Sequence, residues 1–222
     1  MSHVYDIFGR LKHRPRWLLV SILLNFLLMG FELGMDPMFR EAAFYHLPAG
    51  ATVQDSAVLA QMLDRQMPLR LAFLPVRNFF GWGVFALCLY YTALAFRPPE
   101  PLRIVQVFAL ELWAEVPLAL GSYATLLREW LAPSGAARFV NAPPLSLLDV
   151  VPTAGSLEQV ALLGALNLFA GLSLAVLTAG MVALCGFQTK KALLVVCWVW
   201  VASLAWNAGV LAALRDLLHL TL

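Results

Sequence analysis

The sequence predicts an all-α fold: a polytopic membrane bundle of five transmembrane helices, with a short extracytoplasmic amphipathic helix between the first two. Three observations lead there. Five apolar stretches, about residues 17–33, 79–96, 102–127, 159–187 and 192–214, take up about half of the 222 residues. An α-helix rises about 1.5 Å per residue, so about 20 apolar residues cross a hydrocarbon core of about 30 Å. Hydrophobic residues make up 61% of the chain and charged residues 13%, where a soluble domain carries about 25% charged. The apolar runs are also unbroken, which excludes a barrel, because barrel strands alternate apolar and polar residues. A single domain, residues 1–222, is expected, its core built helix against helix.

Charge placement orients the spans. Arg10, Lys12, Arg14 and Arg16 precede the first span, Arg97 and Arg103 lie between the second and third, and Lys190 and Lys191 lie between the fourth and fifth. These alternate segments hold eight of the fifteen basic residues against two acids, Asp6 and Glu100. The opposite side holds seven bases against nine acids. Positive charge stays cytoplasmic, so the amino terminus is expected inside and the carboxyl terminus outside a cell (inner) membrane. The first apolar run lacks a small-residue cleavage site and reads as an uncleaved anchor.

Between the first two spans, Thr52 followed by Asp55 resembles a capping box. Val53, Val58, Leu59, Met62 and Leu63 then recur at helical spacing, with Gln54, Asp55, Gln61 and Asp64 on the polar face. This predicts an amphipathic helix over 53–67 on the outer membrane surface, ending near Pro68. It serves either as a lipid-sensing or docking element or as a connector over the bundle's outer mouth. Arg97-Pro98-Pro99-Glu100-Pro101 forms a stiff reversal between spans two and three. Residues 188–191 join the last two spans so directly that these must be antiparallel neighbours. The outer segment 132–156 is rich in Pro, Gly, Ser and Ala and predicts little regular structure, with a short helix over 145–151.

The sharpest chemical anomaly is Glu111 with Glu115, inside the third span. Intramembrane acids are costly and face a bundle interior. Four apart, they share one helix face. At about 1.5 Å per residue Glu111 lies roughly 14 Å deep and Glu115 roughly 20 Å deep. Asn25 matches the depth of Glu111. Asn167 and Asn207, at roughly 23–25 Å, come close to that of Glu115, so polar residues from four spans can converge in two layers. The functional reading is a proton or cation relay or a polar cavity; the structural one is hydrogen bonding between protonated Glu and Asn across helices, at about 0.6–2 kcal/mol each. Pro117 kinks the same helix and frees a carbonyl nearby.

Asn167, Gly171, Ala175, Ala179 and Ala183 repeat at strict four-residue spacing, and small residues so placed admit a second helix closely. Gly171, Ala175, Ala179 and Ala183 therefore form a candidate packing stripe, inside the protein or between subunits. Trp17, Trp82, Trp130 and Trp198 sit near span ends, where aromatic belts belong. Cys88, Cys185 and Cys197 fall within spans without CxxC spacing and read as small buried hydrophobes. The four histidines lie outside the spans, and no nucleophile elbow, HExxH, P-loop or GxGxxG has a suitable context. No catalytic, metal or cofactor site is expected.

With these residues in view, the chain resembles the Yip (Ypt/Rab-interacting) family of membrane proteins, in particular its bacterial branch. The likeness is carried by Leu166–Trp200, with Asn167-Leu168-Phe169 opening a helix and Lys190-Lys191-Ala192 reversing into the last span. Phe8-Gly9-Arg10-Leu11 with Pro15-Arg16-Trp17 is similar to the family's entry to its first span, and Val116-Pro117-Leu118 to its third-span proline. The resemblance implies a five-span integral protein with its amino terminus in the cytoplasm. About sixteen residues precede the first span, so the GTPase-binding role of eukaryotic members is not expected. The expected function is that of a non-enzymatic scaffold or accessory factor in membrane organisation or transport. Its partners would be membrane lipids and a second copy or another membrane protein, with no nucleic acid. The alternative is a small transporter or channel subunit working through the Glu pair.

Overall fold

A computed structural model of the chain describes residues 53–131, 145–150 and 162–217, together with Leu19, Ile22, Leu23 and Phe26. Its named helices are α1 (Val53–Ala95), α2 (Ile104–Leu131), α3 (Leu147–Val150), α4 (Leu168–Cys185) and α5 (Thr189–Leu217). Among the described residues four helices are long and apolar enough to cross a membrane, over Asn78–Ala95, Ile104–Thr125, Leu168–Cys185 and Thr189–Trp206. The expected first span, 17–33, falls largely outside the described residues. The four residues described within it are helical, and the Phe26 ring lies 5.7 Å from Phe79 of α1.

Two helix boundaries differ from the expectation. First, α1 does not end near Pro68 but continues through Pro68 and Pro75 to Ala95. A proline removes one ladder hydrogen bond and bends a helix, and the flanking residues here keep helical geometry on both sides. Second, the expected span from 159 to 187 starts only at Leu168, because the chain breaks at Asn167. There the backbone is extended (φ −135°, ψ 168°), and the Asn167 Oδ1 accepts from the Ala170 N–H at 2.9 Å. Its Nδ2 donates back to Gly164 O at 2.8 Å. The side chain thus satisfies amides and carbonyls that a continuous helix would pair with one another. The expected short helix in the outer segment is present as α3.

Both connecting turns lie at one end of the bundle. Residues 96–103 leave α1 through Arg97 at positive φ (52°), and the Arg103 N–H donates to Gln106 Oε1 at 3.0 Å, which starts α2. Gly186 ends α4 at φ 66°, a conformation that costs glycine nothing, and its N–H reaches Val182 O at 3.0 Å. The Glu100 N–H donates to Cys185 O at 3.2 Å, joining the two turns.

Helix α1 packs on α2 and α5, and α4 packs on the same two, so the four spans close a ring. The core occupies the turn half of that ring: Leu89 and Ala93 of α1, Val107 and Leu110 of α2, Met181 and Leu184 of α4, Val195 and Val196 of α5. Helices α4 and α2 approach closely at Gly180, where an added side chain would overlap Leu110. Outward of Ala114 the only described residue of α2 that is buried is Gly121, which faces Phe169 of α4. No described residue of α5 beyond Val199 is buried.

Candidate functional site

Helix α2 carries the site because it is enclosed on every side. Val107, Ala109, Leu110, Glu111, Leu112 and Ala114 are all buried, a run that covers the full circumference of the helix. Glu111 is 5% exposed, and its Oε2 is buried with no hydrogen-bond partner. Glu115, one turn further, accepts a hydrogen bond from the Trp82 indole of α1. Trp82 is itself buried rather than placed in an interfacial belt. It meets Phe79 edge-on at 5.3 Å between ring centroids, and Phe79 stacks on Phe108 of α2 at 6.5 Å. Ile22 packs against the same Trp82–Leu112 cluster. Glu115 therefore sits against an aromatic cluster. Counted from the start of α2, Glu111 lies about 11 Å and Glu115 about 17 Å along the span.

The structure gathers fewer of the expected polar residues than the depth matching suggested. Asn167, as the cap of α4, lies about 27 Å from the turn end of that helix and about 10 Å beyond the level of Glu115. Its side-chain hydrogen bonds to described residues are local, to Gly164, Ala165 and Ala170. Asn207 belongs to α5, one residue past the apolar window that ends at Trp206. Asn25 lies outside the described residues. The partner that the sequence reading missed is Trp82: at 13 residues from the end of α1 it stands about 20 Å deep, close to Glu115.

The small-residue stripe divides. Gly171 and Ala175 are exposed, and a side chain at Gly171 would meet nothing within 4 Å. Ala179 and Ala183 are half-buried and pack against the core. The close helix contact is instead made at Gly180.

A concavity lies toward the end opposite the turns. A groove of about 500 Å³ runs between the 145–150 segment, the first turns of α4 and Trp200 of α5. Ser146 and Asn167, joined by an antiparallel bridge, both line it, and the Leu147 N–H donates to Leu166 O at 2.9 Å. Asp149 lines it, accepts from the Ser146 N–H at 3.1 Å, and pairs with Arg128 of α2 at 3.2 Å. Ser146 is 3% exposed and its Oγ has no hydrogen-bond partner. No sequence motif announces this groove, because it joins residues from three separate segments. Compared with family models, curated proteins and solved structures, the chain matches none.

Proposed function

We propose that this is a non-enzymatic integral membrane protein of Yip-like, five-span design, acting as a scaffold or accessory factor toward other membrane components. In this reading it sits in the cell membrane with its amino terminus cytoplasmic, as the basic turns favour. The observation that supports a lateral partner is the outward face of α4. Gly171 and Ala175 stay exposed while Gly180 already serves the internal contact with α2. A face of small residues left free is one that a further helix can approach closely. A photo-crosslinker at Ala175, activated in native membranes, should give an adduct with a second copy or with another membrane protein. Lipid adducts alone, together with a monomer in mild detergent, would reject the reading.

A second reading, a small transporter or channel subunit, draws on Glu111. A buried carboxyl group with an unpartnered oxygen is costly, and such groups mark proton or ion pathways. In proteoliposomes Glu111→Gln and Glu115→Gln should each change a pH-dependent flux that the wild type supports. A wild type that conducts nothing in proton, sodium or potassium gradients rejects this reading.

A further inference from the structure

We propose that the groove between the 145–150 segment, the start of α4 and Trp200 of α5 binds one phospholipid of the leaflet on that side. The argument is one of depth and chemistry together, and it places lipid against Gly171, a position the scaffold reading leaves to a second helix. Measured from the turn end at about 1.5 Å per residue, Leu174 and Trp200 both lie near 17 Å, close to the middle of a hydrocarbon core of about 30 Å. Asn167, with Ser146 bridged to it, lies near 27 Å, and Arg128 near 36 Å, in the headgroup layer. The lining changes along the same axis. Ala170, Gly171 and Leu174 form the apolar deep end. Ser146 and the Arg128–Asp149 pair, linked by the hydrogen bond from the Ser146 N–H to Asp149, together form the polar end, where the ester and phosphate groups of a lipid lie. That is the polarity sequence of a phospholipid standing in one leaflet.

The hydrogen-bonding state of the polar end fits the same occupant. Asn167 uses both its amide and its carbonyl on the backbone, and Asp149 is held by Arg128 and the Ser146 N–H. The Ser146 hydroxyl is buried and unpartnered. A buried polar group without a partner is costly, so its site favours a ligand that supplies one. An ester carbonyl is an acceptor of the right kind at the right depth. A volume of about 500 Å³ takes only part of a lipid, the ester region and a length of one acyl chain, with the rest of the molecule left in the bilayer.

The test is photolabelling of the full chain in vesicles of phosphatidylethanolamine and phosphatidylglycerol, doped with phosphatidylglycerol bearing an acyl diazirine. Labelling at 166–174 and at Trp200 should exceed that at Phe80 and Trp206, which are exposed at similar depth away from the groove. Gly171→Phe fills open space and should cut the excess by about tenfold, while Gly81→Phe, also in open space, should leave it unchanged. Ser146→Ala leaves no new buried group unpaired, so it should fold and reduce the excess by about fivefold. Equal labelling at the groove and at Phe80 and Trp206 means annular lipid only and overturns the proposal. So does an excess indifferent to both groove variants.

Discussion

Glu111 and Glu115 share one face of α2 but differ in what they leave behind when removed. Glu115→Leu strands the Trp82 indole N–H in a buried aromatic cluster, which should cost about 1–3 kcal/mol. Glu111→Leu replaces a carboxyl that already has an unpartnered oxygen, and should be neutral or stabilising by about 1 kcal/mol. Thermal unfolding in detergent, followed by near-ultraviolet dichroism, checks both; equal losses would mean that the two act as one unit. The two acids were legible in the sequence, since an acid within an apolar run announces itself. Trp82 was not, because a tryptophan near a span end reads as an interfacial anchor until its depth is compared with that of an acceptor on a neighbouring helix.

At the scale of the element, α4 shows why a sequence repeat and a packing face need not coincide. Each residue turns an α-helix by about 100°, so a strict four-residue repeat drifts about 40° at every step. From Gly171 to Ala183 the stripe has wound by about 120°, and its members pass from exposed to half-buried. Gly180, one position off the repeat, is where α2 comes close. Gly180→Val should therefore cost about 1–3 kcal/mol through overlap with Leu110, whereas Gly171→Ala should gain up to about 1 kcal/mol from helix propensity. Unfolding midpoints of the two variants decide this, and a tolerated valine at 180 would refute the close approach. Asn167→Ala removes the cap and should cost about 0.5–2 kcal/mol. The break at Asn167 was hidden because hydropathy continues across it from residue 160. Only the side chain's competition for backbone partners ends the run.

For the whole molecule, composition alone made membrane helices legible, and the basic residues made the turn end legible as a common end. Reporter fusions after residues 100 and 188 should place both turns in one compartment, with 145–150 in the other. Turns found in different compartments would refute the ring. The length of α1 was less legible, since proline lowers helix propensity locally without dictating where tertiary contacts let the helix stop. The backbone link from Glu100 to Cys185 has a consequence for motion. It fastens two helical hairpins at one spine, next to the buried core, while their far edges hold few buried groups among the described residues. Isotope exchange in nanodiscs should accordingly be slowest for amides in Val107–Ala114 and Leu177–Cys185, and should quicken toward the far edge, as the pages of a bound book move least at the binding.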